Sequence, residues 1–278
     1  MATTKPSPDL SPDAQASGVV VSRPEAEIGE ITLDRPALRN SLSLATIRAL
    51  DNAFSKIAGA DDVKAVVLSA RGPAFCAGHD LKEIRARRAD ADKGAAFFAE
   101  AMTSCARMMQ TIVACPKPVI AAVEGVATAA GCQLVATCDL AVASTAARFC
   151  TPGVDIGLFC STPMVALTRA VPAKRAMEML LLGDMIDAET AAAWSLVNRV
   201  VPEGQARATA LDLARRIAAK SPLTVAIGKR TFYDQIAAPL ADAYALASRV
   251  MVENLLARDA EEGIAAFIDK RSPQWEGR

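Results

Sequence analysis

The chain is poor in aromatic side chains. They make up 4 % of its 278 residues, with two tryptophans and two tyrosines. That leaves little surface on which a base or a sugar could stack. Neither sign of charge prevails: lysine plus arginine and aspartate plus glutamate number 31 each. A basic footprint for nucleic acid is therefore missing. The apolar runs are all interrupted by charge or proline, so no segment reads as a membrane span. No repeat of fixed period is visible, and no GxSxG elbow marks a hydrolase nucleophile. Seven cysteines stand at 76, 105, 115, 132, 138, 150 and 160, most of them inside apolar runs and none in a CxxC pair. That pattern speaks against a disulfide framework and against a zinc site, so no metal is expected. Buried free thiols suit a reducing cytosol, and a cytoplasmic location is the expectation.

What is present is apolar residue, 52 % of the chain, enough for a substantial core. Residues 1–17, "MATTKPSPDLSPDAQAS", carry Pro, Ser and Asp without an apolar centre. They read as a disordered tail, neither a secretory signal nor an Arg-rich transit peptide. Short apolar strands are predicted at 29–36, 63–70, 117–125 and 139–144. Between the first two, Leu44, Ile47, Leu50, Ala53, Phe54 and Ile57 fall at helical spacing, with Ser43 placed to cap. Residues 93–114 read as another helix. This alternation predicts an α/β domain with short parallel strands. From about 160 onward the pattern is helical. Breaks are expected at Pro172 and Gly183, caps at Asp187 and Asp259, and further helices over 203–220, 222–237 and 239–257.

Two stretches carry candidate chemistry. In "GPAFCAGHDLKEI", 72–84, a strand gives way to a turn at Gly72, Pro73 and Gly78 before a helix opens. In "EGVATAAGCQLVATCDL", 124–140, a strand ends near Gly125 and small residues lead into an apolar helix. Peptide N–H groups at such turns point outward, and the helix N-terminus adds roughly half a positive charge. Each stretch alone is also compatible with a plain connection or with tight helix–strand packing. Together they can offer one N–H each to a single oxygen, an oxyanion hole.

The order "AFCAGHDLKEI", "KPVIAAVEGVATAAGCQLVATCDLAVAS", "ARFCTPGVDIGLFCSTP" resembles the enoyl-CoA hydratase/isomerase (crotonase) superfamily, over roughly 18–271. The resemblance implies a spiral of ββα turns over 18–203 that binds an acyl-CoA. It also implies a helical region over 204–278 that assembles trimers, often stacked as hexamers. Coenzyme A would enter as part of the thioester, not as a prosthetic group. By motif position the thioester oxygen would accept from the N–H groups of His79 and Ala130, the latter where the family usually has glycine. Contacts to coenzyme A would fall at Ala37, Leu38, Arg39, Ala77, Asp80 and Leu81, and at Phe267 and Lys270. Arg39 would supply the charge of a lysine that the family often has at position 37. For Phe267, core packing is an equal alternative.

The chain departs from the family at its two glutamates. One place holds Gln133, whose amide can hold a water but cannot act as a base; the other holds Gly153. Where some relatives place an aspartate, this chain has Ser161. Asp155 is the spare carboxylate, suited to catalysis only if its segment is extended, and otherwise to a turn. A Ser-His-Asp hydrolase built on His79, the single histidine, and Ser161 has no elbow to support it. Three readings stay open. The chain is a family enzyme with weak hydratase activity, including another enolate reaction such as decarboxylation or isomerisation. Or it is an acyl-CoA-binding protein without turnover, or an assembly module with a vestigial pocket.

Overall fold

In the computed structural model, residues 17–278 are described. The expected disordered tail lies outside them except for its last residue. Ser17 is buried, and its carbonyl accepts a hydrogen bond from Thr46 Oγ1 at 2.9 Å. The order of elements is β1 (Val19–Glu25), β2 (Ile28–Leu33), α1 (Leu44–Ala58), β3 (Ala65–Ala70), β4 (Ala74–Cys76), α2 (Leu81–Arg87) and α3 (Ala95–Ala114). There follow β5 (Val119–Val123), β6 (Val126–Thr128), α4 (Ala130–Thr137), β7 (Leu140–Ser144), β8 (Arg148–Cys150), α5 (Ser161–Ala170) and α6 (Ala173–Leu182). The chain ends with β9 (Ile186–Asp187), α7 (Ala188–Ala193), β10 (Arg199–Val201), α8 (Ala206–Ala218), α9 (Pro222–Gln235), α10 (Leu240–Leu255) and α11 (Arg258–Ile268).

Three successive turns of the chain each contribute a long strand, a short strand and a helical passage. The long strands build one sheet in the order β1-β2-β3-β5-β7-β10, and the short ones a second in the order β4-β6-β8-β9. From β2 through β10 the first sheet is parallel, and β4, β6 and β8 are parallel to one another. This is the expected α/β spiral. Parallel strands covered on both faces read as continuous apolar runs, which is why β3 and β5 were legible. The three-residue strands β4, β6 and β8 were not, since so short a run carries no period.

Helix α1 buries Leu44, Ile47, Leu50, Ala53, Phe54 and Ile57, the face that the spacing picked out. Its cap is Ser43, whose Oγ accepts from the N–H of Thr46 at 3.2 Å. Arg35 donates to both Ser43 Oγ and Thr46 Oγ1. Replacing Ser43 with alanine is expected to cost about 1–2 kcal/mol, read as a lower urea midpoint with unchanged slope.

Proline and glycine end α5 and α6 as expected, with Gly183 left-handed at φ 71°. Asp187 caps α7 by accepting from Thr190 N–H at 2.8 Å. Asp259 is a correction. Helix α11 begins at Arg258, so Asp259 sits inside its first turn. There it accepts from Ser221 Oγ at 2.5 Å and from the N–H groups of Glu276 and Gly277. It caps nothing in its own helix but ties the last residues of the chain to the start of α9.

Helices α9 and α10 have no buried residue. Phe232, Ile236, Leu240, Tyr244, Met251, Val252, Leu255 and Leu256 are all more than half exposed in the single chain. No helix among the described residues is long and apolar enough to cross a membrane.

Candidate active site

Strands β4 and β6 are parallel neighbours, so their C-terminal ends lie side by side. The loop after β4 carries Ala77–Asp80, and the loop after β6 carries Ala129 and opens α4 at Ala130. Two close approaches lock these loops together. A Cβ on Gly131 would stand 2.1 Å from the carbonyl oxygen of Cys76, and one on Gly78, left-handed at φ 81°, would stand 3.0 Å from the Cβ of Ala129 and 3.1 Å from the carbonyl oxygen of Thr128. Only glycine lets the backbones meet at these distances.

The peptide groups around His79 are spoken for, and its own is not. Ala77 N–H donates to Arg39 O at 3.0 Å, and Asp80 N–H to Leu42 O at 3.0 Å. Leu42 N–H in turn donates to Gly78 O at 2.8 Å. Among the described residues, no backbone acceptor takes the N–H of His79 or that of Ala130. Ala130 is the first residue of α4, where no intrahelical acceptor exists. The strain sits one residue earlier, at Ala129, with φ 49° and ψ −116°. For alanine that conformation costs on the order of 1–3 kcal/mol. It is held by the hydrogen bond from Ala129 N–H to Cys150 O at 2.9 Å. Ala130 itself has no positive φ, so a side chain there is accommodated without strain.

Among the described residues, two buried side-chain polar atoms lack a hydrogen-bond partner: His79 Nε2 and Gln133 Oε1. Both belong to this place. Burial holds the His79 imidazole below its usual pKa, and a hydrogen bond to the backbone of Leu42 offsets part of that. The ring is therefore neutral near pH 7. Gln133 is 4 % exposed, in the first turn of α4. It lines a cavity of about 770 Å³ bounded by Met109 and Val113 of α3, Val165 and Ala166 of α5 and Phe232 of α9. Of the residues assigned from sequence, Gln133 alone is on its wall.

At Gly153, where the resemblance implies a second glutamate, there is no room for a side chain. A Cβ on Gly153 would stand 2.8 Å from Leu158 O and 2.9 Å from Cys160 Sγ. Leu158 N–H also donates to Gly153 O at 2.9 Å. The spare carboxylate does not replace it. Asp155 lies in a 3-10 turn, Pro152–Ile156, not in an extended segment, and it is exposed toward Gly183. The condition for its catalytic reading is not met. Ser161, the first residue of α5, turns its hydroxyl to Phe159 O at 3.3 Å.

The candidate coenzyme A residues fall into two groups. Ala37, Leu38 and Arg39 form a 3-10 turn and its left-handed cap, bound to the His79 loop through Ala77. Asp80 caps α2, accepting from the N–H groups of Lys82 and Glu83, and Leu81 follows it, exposed like Leu38. Both segments adjoin the His79 loop, the first through Ala77 N–H to Arg39 O and the second by following it in the chain. Phe267 and Lys270 are elsewhere, on and after α11, which packs on α9 and α10. Phe267 is 85 % exposed, so the core-packing alternative for it is excluded.

Sequence reading missed Asn40. Buried and left-handed at φ 53°, it accepts from Arg35 N–H at 2.7 Å and donates to the carbonyls of Arg71 and Ala74. It staples the candidate ligand turn to the start of β4. The available signal was asparagine's tolerance of the left-handed region next to a proline turn. All seven cysteines are buried and free, and no cluster among the described residues could hold a metal.

The enoyl-CoA hydratase/isomerase family profile matches residues 23–278. The mitochondrial enoyl-CoA hydratase domain-containing protein 3 of Mus musculus is 48 % identical over 254 residues, covering 91 % of this chain and 83 % of that protein. This is the type that "GHDLKE", "AAGCQLVA" and "TPGVDIGLFCSTP" resemble. The crystal structure of the human protein of that name superposes with a TM-score of 0.87 at 46 % identity, covering 93 % of this chain and 100 % of that one. An enoyl-CoA hydratase from Mycobacterium smegmatis gives 0.88 at 44 % identity, with 93 % and 98 % covered. The expected cytoplasmic location is overturned, because the mouse, rat and human relatives are all named mitochondrial. That expectation rested on free thiols, which any reducing compartment allows.

Proposed function

Since the chain belongs to the enoyl-CoA hydratase/isomerase family, we propose that it binds an acyl-CoA thioester and stabilises its enolate between the N–H groups of His79 and Ala130. The observation that carries this is the pair of unused peptide donors on two loops pinned together at Gly131 and Gly78. Such donors aim at charge that develops during reaction, and each contributes roughly 3–4 kcal/mol where removal has been measured. Leu38, Arg39 and Leu81 would face coenzyme A beside them. The cavity next to Gln133, walled mainly by apolar side chains, suits a hydrocarbon tail. The bare apolar faces of α9 and α10 suit contact with further copies in a trimer or hexamer, to which Phe267 and Lys270 would then belong.

Hydration itself is expected to be weak. It needs a group to take a proton from water and one to protonate the α-carbon, and Gln133 and Gly153 supply neither. With crotonyl-CoA the turnover should fall far below the ordinary ~10–10³ per second. Turnover in that range would refute the proposed loss. A second reading, binding without turnover, draws on the same two positions. Calorimetry with butyryl-CoA decides the common premise: saturable binding supports both readings, and no binding to any coenzyme A ester removes both.

A further inference from the structure

The site's acid–base chemistry has been counted so far by its missing carboxylates, yet an imidazole stands in the loop that offers the oxyanion donor. We propose that the imidazole of His79 is the general base of this site, taking the α-proton of the bound thioester whose oxygen its own peptide N–H holds. The inference rests on the acyl-CoA reading above and assigns the proton transfer that reading left without an owner.

His79 and Leu42 are bridged through their backbones, which fixes the loop that carries the ring. Among the described residues, its Nε2 is buried and has no partner. With the proton on Nδ1, Nε2 holds a lone pair. An unsatisfied buried acceptor of this kind is destabilising unless a ligand supplies the missing donor or proton. The one other orphan, Gln133 Oε1, belongs to the first turn of α4, which opens with the second oxyanion donor. Each of the two donor-bearing segments thus also carries an unpaired buried acceptor. A thioester oxygen would satisfy the donors, with its α-proton offered to Nε2.

The step balances within the chain and its ligand. Nε2 takes the α-proton, so the C–H bond breaks and an N–H bond forms. The electron pair moves onto the thioester oxygen as an enolate, held by the N–H groups of His79 and Ala130. Return of a proton from the imidazolium to carbon closes the cycle, and no oxidant or co-reactant is needed.

The charged groups on neighbouring elements do not hold the ring protonated. Asp80 is committed to the N–H groups of Lys82 and Glu83, and Glu83 accepts from Leu44 N–H at 3.0 Å. Arg39 is exposed. Across the loops, burial pushes the Cys76 thiol up to about 12 and that of Cys132 higher still, so both stay neutral. The base should therefore be lost only when the pH falls below the usual histidine range.

The test uses the intact protein and butyryl-CoA in deuterium oxide, following deuterium at the α-carbon by mass spectrometry. The wild type is expected to exchange, with a rate flat near neutrality that falls as pH drops through a pKa below that of free histidine. His79→Ala keeps the peptide donor and should lower exchange about 10²–10⁴-fold, with partial return on adding free imidazole. His79→Asn serves as the second variant, and thermal unfolding reports whether each is folded. Exchange that persists in folded variants overturns the proposal. So does wild-type protein that binds butyryl-CoA in calorimetry without exchanging it, and that outcome leaves the acyl-CoA reading standing. Failure to bind overturns both.

Discussion

Replacing Gly131 with alanine is expected to cost at least about 3 kcal/mol and to abolish acyl-CoA binding. The added Cβ would stand 2.1 Å from Cys76 O, 2.8 Å from Cys76 C and 2.8 Å from Cys76 Cβ. Two of these three atoms are backbone, in a strand hydrogen-bonded on to β6, so no flexible side chain can yield. In an open helix the same change would be favourable by about 1 kcal/mol, since alanine is the better helix former. The clash reverses the sign, because inserting atoms into a tight contact typically costs 1–3 kcal/mol and more where backbone must shift. The shift would part β4 from α4, the elements next to the two N–H groups that the proposed oxyanion hole pairs. Urea unfolding and butyryl-CoA calorimetry check the two halves. A variant as stable as the parent with unchanged affinity would mean that this contact does not hold the loops.

The second large effect is expected at Asp139. Its Oδ2 accepts from Lys229 Nζ at 2.6 Å and from Val119 N–H at 2.7 Å, and its Oδ1 accepts from Tyr233 OH at 2.9 Å. Lys229 also donates to the carbonyls of Ile112 and Lys117, and its side chain is 6 % exposed. Burial and the neighbouring Asp139 charge push the Tyr233 hydroxyl well above its usual pKa, so it stays a donor. No residue of helix α9 is buried as a whole, and this latch ties it to Val119 of β5 and to Asp139 just ahead of β7. Asp139→Ala strands a buried ammonium and should destabilise by about 3–5 kcal/mol, the range for breaking a buried pair from one side. Asp139→Leu with Lys229→Met removes both charges and should be the milder change. Parallel urea titrations decide it, and an Asp139→Ala protein within 1 kcal/mol of the parent would show that α9 is held by other means. Because Phe232 and Tyr233 wall the cavity beside Gln133, loosening α9 should also weaken binding of long acyl chains more than short ones.

Legibility from sequence followed physical scale. A helix such as α1 announces itself because six apolar residues at one spacing must share a face, and Ser43 can do little there but cap. Strands β3 and β5 are apolar but for Ser69 because both of their faces are covered. Asp259 misled because a carboxylate near a helix start fits a cap and also fits a distant turn, and only the fold chose the latter. Asp155 depended on the local backbone, and a 3-10 turn turned it outward.

By itself, the order of residues settled that this is an α/β chain with short covered strands and late helices. It also settled that position 133 holds an amide and position 153 a glycine, since residue identity needs no third dimension. Tertiary structure alone decided that two loops some fifty residues apart meet at Gly131, and that the gap beside Gly153 is shut by Leu158 and Cys160. It alone decided that, among the described residues, Nε2 of His79 is left buried without a partner. Such facts depend on ångström-scale distances between segments remote in sequence, and no local preference records those.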